Sequence, residues 1–186
     1  DKGSKLSLLP KRKRSRLYFY KNKGKENYSV SGENTPNYNW EELDKQVTKE
    51  AIERTNNNDY QIDNTYYDKY IRVKYNQLKD SSKNTKYDDS KEYEDLDILL
   101  SIVKDLKLNI KFAILPAHGK WSDYTGIGSE KRQVAYNKLK EIAKNNNIEV
   151  MDYSSKEYED YYMYDAMHLG WRGWIDFERD LYKLKK

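Results

Sequence analysis

Two short apolar runs punctuate an otherwise polar chain, and each lies between segments with helical spacing. Ile110-Lys111-Phe112-Ala113-Ile114-Leu115 is cut by Pro116, and Ile148-Glu149-Val150-Met151 follows Asn145-Asn146-Asn147. Runs this short, bounded by turn formers, read as buried strands rather than helices. Ahead of the first, Ser90 opens a stretch with Tyr93, Leu96, Leu99, Leu100, Val103 and Leu106 on one side, closed by Asn109. Between the two runs, Ser129 is the expected cap of a helix that turns Val134, Leu139, Ile142 and Ala143 inward. A last helix, from about 171 to 184, is expected to pack Trp174, Ile175 and Leu181 back onto the sheet. Helix, strand, helix and strand with short connections restrict the chain to an α/β fold: a parallel sheet layered by helices.

The part before this unit is less regular. Asn39 reads as an N-cap with Glu42 three residues on, and Trp40, Leu43, Val47 and Ala51 give a helix over 40–55. Residues 56–89, rich in Asn, Asp and Tyr, have no sustained period and read as a long loop with short helical pieces. A loop of that length in a compact domain carries function or covers something. Residues 1–38 form a basic, irregular lead-in, and 39–186 the α/β domain. Ten basic residues against one acidic residue make segment 1–25 +9, leaving −5 on the remainder of a chain whose net charge is +4. Such an arm suits an anionic polymer, an anionic lipid or simple solvation. No recognition helix, RNP-like pattern or zinc module accompanies it, so nucleic acid is not an expected partner. The chain starts with Asp and no signal-peptide pattern precedes the basic run, which suggests a trimmed segment of a longer protein.

With no Cys, disulfides, thiolate metal sites and Cys nucleophiles are excluded, and His-dependent chemistry has two side chains to draw on, His118 and His168. In a parallel α/β sheet, ligands bind beyond the carboxyl ends of the strands. One His falls in each of the two loops that qualify, 116–128 and 152–170. Asp165-Ala166-Met167-His168 places a carboxylate three residues before an imidazole, where it can accept the Nδ1 proton and leave Nε2 free as a base. The same spacing also suits a turn capped by Asp165, with His168 as a packing residue. Gly170 and Gly173 would permit close backbone approach, and Trp171 and Trp174 could wall a pocket. A serine to complete a triad is missing: no Gly-x-Ser-x-Gly elbow occurs, and Ser129, in the one Gly-Ser pair outside the lead-in, is better used as a cap. No metal-ligand spacing or phosphate-binding loop is present in the sequence.

The segment Phe112-Ala-Ile-Leu-Pro-Ala-His-Gly-Lys-Trp-Ser-Asp-Tyr-Thr-Gly126 resembles a signature loop of the D-alanyl-lipoteichoic acid transfer protein family, DltD. Tyr164-Asp-Ala-Met-His-Leu-Gly-Trp-Arg-Gly-Trp174 resembles that family's C-terminal motif, and Glu130-Lys-Arg-Gln with Tyr136-Asn-Lys is similar to the helix between them. Trp40-Glu-Glu-Leu-Asp-Lys and Ile62-Asp-Asn-Thr-Tyr-Tyr67 agree with its middle region. The resemblance implies a three-layer SGNH/GDSL hydrolase-like fold, of which this chain is the C-terminal part. It implies serine acyl transfer in the D-alanylation of lipoteichoic acid on the extracytoplasmic face of a Gram-positive cell membrane, through an N-terminal anchor absent from this chain. His168 would be the general base and Asp165 its orienter, with His118, Lys120, Trp121 and Tyr124 at the substrate. The nucleophilic Ser would lie upstream, so the isolated chain is expected to be inactive. No cofactor is implied; the partners implied are lipoteichoic acid, a D-alanyl donor or carrier and other Dlt membrane proteins. His118 stands where the family pattern has Asn, which leaves it open to tune His168 or to face solvent. Two other readings remain: a non-catalytic module binding an anionic polymer or a partner protein, and an SGNH-type esterase.

Overall fold

The computed structural model describes residues 38–88 and 90–184. Apart from Tyr38, the basic lead-in lies outside the described residues. Helix α1 spans Trp40–Arg54, and Asn39 caps it by accepting the Glu42 N–H at 3.2 Å. The Asn-rich stretch after it is ordered by side chains standing in for backbone partners. Asn58 Oδ1 accepts the N–H groups of Tyr60 and Ile62, and Asn58 Nδ2 donates to the Ile62 carbonyl. Helical pieces follow: α2 (Asn64–Tyr66), a π-helical turn (Tyr67–Ile71), a 3-10 turn (Arg72–Lys74) and α3 (Tyr75–Leu78). The expected loop with short helical pieces is what forms here, and it packs inward through Ile62, Asp63 and Ile71.

The second half alternates as its periodicity indicates. Helix α4 (Glu92–Asp105) leads to β1 (Lys111–Ile114), α5 (Gly119–Tyr124), α6 (Ser129–Asn145), β2 (Glu149–Asp152) and α7 (Trp171–Lys183). Strands β1 and β2 pair in parallel, with Lys111 opposite Glu149 and Ile114 opposite Asp152. The described chain is thus an α/β arrangement built on a two-stranded parallel sheet.

Five expectations are corrected. Gly128, in extended conformation, occupies the N-cap of α6, and Ser129 is the first helical residue. Val134 is 47% exposed, and Arg132 and Tyr136 join the expected Ile142 and Ala143 on the buried stripe of α6. Strand β1 is not buried on both faces, since Ala113 is exposed while Ile114 is buried. On α4 Leu100 is buried but Leu99, like Leu106 at the C-cap, is half exposed, and on α7 Ile175 is buried while Trp174 and Leu181 are not. The physical reason is common to the last two: no described element covers those faces.

Two clusters hold the interior. Tyr153, Tyr162, Met163 and Leu169 pack with Met151 and Phe177 beneath the loop after β2. Ile62, Ile71 and Trp121 pack with Tyr60, Tyr66, Tyr67, Tyr75, Leu78, Tyr124 and Ala166, joining the 56–89 segment to the two strand-end loops. No described helix is long and apolar enough to cross a membrane.

Candidate active site

After β2 the chain makes a 3-10 turn (Ser154–Lys156) and then doubles back, with Met163 and Leu169 bridged antiparallel. The five residues between them form a tight loop closed by Tyr164 N–H to His168 O at 2.9 Å and Gly170 N–H to Tyr162 O at 2.7 Å. A Cβ on Gly170 would lie 2.7 Å from the Met163 carbonyl carbon, and one on Gly173 would lie 2.3 Å from the Tyr162 oxygen. Both glycines therefore allow the close backbone approach that the turn requires.

Asp165 organises this loop. Its Oδ1 accepts the backbone N–H groups of Met167 and His168, both at 2.9 Å. The carboxylate also faces the His168 ring, with Nδ1 2.8 Å from Oδ2 and 3.0 Å from Oδ1. A carboxylate accepts only, so His168 carries its proton on Nδ1 and turns the Nε2 lone pair outward. The burial of the two side chains is opposite: Asp165 is 5% exposed and His168 78%. The carboxylate is fixed and dry, the imidazole open to a reactant. Asp165 thus caps the turn and faces the imidazole at once, whereas His168, largely exposed, is not the packing residue that the same spacing allowed.

The 56–89 segment braces the loop from behind. Asp63 donates its N–H to the Tyr164 carbonyl at 3.0 Å. The Asp63 carboxylate, nearly fully buried, accepts from Thr65 and Tyr66 N–H and from Arg54 Nε and Nη2. Burial, then the Asp165 charge, raises the Tyr66 phenol pKa. Trp171 packs under the Arg54 guanidinium at 5.7 Å and beside Tyr164, while Trp174 stands half exposed against Phe177.

His118 does not face solvent. It is buried and caps α5, with Nδ1 accepting the Trp121 N–H at 3.4 Å and Nε2–H donating to the Tyr60 carbonyl at 2.6 Å. Burial lowers its pKa, against the Tyr60 carbonyl, whose hydrogen bond favours the charged form. Its backbone N–H donates to the Ala166 carbonyl at 3.2 Å, so the two strand-end loops meet there. Trp121 is buried edge-on to Tyr60, and Tyr124 stacks on Tyr75 at 4.5 Å while donating its hydroxyl to the Tyr75 carbonyl. Lys120 is exposed, 3.3 Å from Asp160. Of these four residues, Lys120 presents its polar end to solvent, and His118, Trp121 and Tyr124 pack behind the loop.

A pocket of about 280 Å³ opens at the carboxyl end of β1, lined by Leu115, Pro116, Ala117, Tyr87, Tyr136 and Met167. Met167 is 74% exposed and adjoins His168 in sequence, so the pocket lies beside the Asp–His loop. Asp63, Arg132 and Tyr136 lie in the family-like segments without a role read for them there, and Glu157 lies outside those segments. Arg132 carried a legible signal, an Arg on the buried stripe of an amphipathic helix.

Three curated relatives share this region. One named Protein DltD from Bacillus subtilis is 35% identical over 150 residues, 79% of this chain and 38% of its own length. Those from Staphylococcus aureus and Lacticaseibacillus rhamnosus, also named Protein DltD, are 27% and 30% identical over 81% and 76% of this chain. The chain spans 34–38% of the length of these relatives. The DltD protein family model matches residues 5–186, so it takes in both strand-end loops as well as the helices that brace them. On that match and the relatives together, the chain belongs to the DltD protein family.

Proposed function

We propose that this chain is the Asp–His-bearing C-terminal part of an SGNH/GDSL-like acyl-transfer domain that acts in D-alanylation of lipoteichoic acid. The observation that carries the reading is the buried Asp165 carboxylate on His168 Nδ1, which leaves Nε2 as an exposed base. Family membership supplies the substrate class, and the length of the relatives leaves room for a serine outside this chain.

In this reading a serine hydroxyl from the rest of the protein approaches Nε2 of His168. The imidazole takes the hydroxyl proton as the oxygen attacks the D-alanyl ester of a donor, and Asp165 stabilises the imidazolium that forms. The protonated Nε2 then delivers that proton to the departing donor oxygen or sulfur. A glycerol hydroxyl of the polymer next attacks the seryl ester, and His168 removes its proton and returns it to the serine. Protein Nε2 chemistry and an ester already activated are sufficient. The pocket beside Met167 is the space where donor and nucleophile meet, and the exposed ammonium of Lys120 is the group that would hold a polymer phosphate. The protein works at the outer face of the cell membrane, where the polymer is.

The test is His168→Ala in the full-length protein, with D-alanine ester on the polymer as the readout. Loss of ester with an unchanged thermal midpoint is expected; undiminished ester would remove His168 from the chemistry.

A further inference from the structure

Beneath the loop after β1 lies a buried polar group that the acyl-transfer reading does not use. Arg132 forks onto Glu157, with Nε to Oε1 at 2.6 Å and Nη2 to Oε2 at 2.9 Å, and both side chains are nearly fully buried. Arg132 Nη1 also reaches Asp123 Oδ1 at 2.8 Å and the Ile127 carbonyl, and Nη2 reaches the Tyr158 hydroxyl. Tyr136, one turn along α6, donates its hydroxyl to Glu157 Oε1 at 2.8 Å and accepts the Ala117 N–H at 2.8 Å. The Glu157 carbonyl accepts the Gly119 N–H at 2.7 Å. Ala117 and Gly119 are thereby held from one side, and the N–H of His118 between them is held toward the Ala166 carbonyl. Ala166 follows Asp165.

The charges suit a rigid device. Burial alone would lower the Arg132 pKa, but Glu157 and Asp123 outweigh it and hold the guanidinium above its ordinary value. Burial, with Glu157 beside it, pushes the Tyr136 phenol up, so the hydroxyl keeps the proton it donates. A bidentate Arg–carboxylate pair adds geometric definition as well as attraction. Such a pair is not needed merely to fill an α/β interior, where apolar residues of equal volume serve as well.

We propose that Tyr136 and Glu157, anchored by Arg132, are positioning residues for the Asp165–His168 pair, acting through Ala117, Gly119 and the His118–Ala166 backbone bond. This rests on the reading of His168 as the base. Displacing a reacting group by about 1 Å costs on the order of a hundredfold in rate. Tyr136→Phe, which keeps the ring and loses the hydroxyl, should therefore lower kcat of the full-length protein roughly ten- to hundredfold with KM unchanged.

The discriminating measurement is the tautomer of His168, read by long-range ¹H–¹⁵N NMR in the full-length protein with ¹⁵N-labelled histidine. In the parent chain His168 should be the Nδ1–H form. In Tyr136→Phe it should become a mixture with Nε2–H, as the carboxylate and ring lose register. Glu157→Gln gives the same readout if Tyr136→Phe does not fold. A parent-like tautomer in a folded variant overturns the proposal, as does a fall in kcat/KM arising from KM alone. Failure of the acyl-transfer reading itself appears separately, as full activity in His168→Ala.

Discussion

His118 donates its backbone N–H to the Ala166 carbonyl at 3.2 Å, and this bond joins the loop after β1 to the loop that carries Asp165 and His168. The two histidines end up in opposite roles within one unit. His118 is buried, protonated on Nε2 and spent on backbone groups, whereas His168 is protonated on Nδ1 and open at Nε2. A helix cap thus holds the frame in which a base can operate.

Asp165→Asn separates the two duties of that side chain. An Asn oxygen can still accept the Met167 and His168 N–H groups, so the turn should hold. The amide nitrogen would then face Nδ1, which must become an acceptor, and the ring proton moves to Nε2. If His168 acts as proposed, ester formation by the full-length protein should fall by roughly ten-thousandfold, the cost of that exchange in the Ser-His-Asp triad of serine proteases. Ester formation and the thermal midpoint measured together check this; retained activity would contradict it.

The alternation of helix and strand was readable because each element of the second half carries its own period. Asp165 with His168 was readable because the contact is local, three residues apart in one turn. Arg132–Glu157 and Asp63–Tyr164 were not, since they join residues 25 and about 100 positions apart and only the folded chain brings them together. The segment 56–89 was readable as a loop with short helical pieces but not in its packing, because Asn58 and Asp63 order it by bonding directly to backbone, which leaves no apolar period to detect. Leu99, Leu106 and Trp174 looked like core because an amphipathic pattern reports a face to be covered and not whether the same segment of chain covers it.

His118→Asn should make stability less sensitive to acid. Burial lowers the His118 pKa in the folded chain below the ordinary 6.5, so the unfolded chain binds more protons as the pH falls through 6.5. Stability carried by the neutral ring is full above that value and is lost on descending toward the depressed folded pKa. Asn can still cap α5 at the Trp121 N–H but does not titrate. Urea midpoints between about pH 5 and about pH 7.5 should fall more steeply with acid in the parent than in the variant. Parallel profiles would show that His118 does not carry the effect.

Gly173→Ala tests the packing of α7 against the loop. On propensity alone the change favours a helix by about 1 kcal/mol. The new Cβ, however, would lie 2.3 Å from the Tyr162 oxygen and 2.9 Å from Leu169 Cδ2. The Tyr162 oxygen is backbone and already accepts the Gly170 N–H, so it has little room to move. A net loss of about 1–3 kcal/mol is expected, read as a lower urea midpoint. A gain in stability would mean that the helix can shift away from the loop.

Tyr162→Phe should do the reverse. Tyr162 is 0% exposed, and among the described residues its hydroxyl is a buried side-chain polar atom with no hydrogen-bond partner. Burial, followed by the nearby acidic groups Asp176 and Glu159, raises its pKa, so the group stays a neutral hydroxyl that has given up its bond to water. An unmet buried hydroxyl costs about 1–3 kcal/mol. Phenylalanine keeps the ring against Tyr153, Met163 and Leu169 and leaves a void only the size of one oxygen. The loss of packing at that void is smaller than the desolvation cost relieved, so the folded chain should gain about 1 kcal/mol and unfold at a higher midpoint. A lower midpoint would show that the hydroxyl is satisfied by a buried water, and that Tyr162 contributes a polar anchor beneath the Asp–His loop.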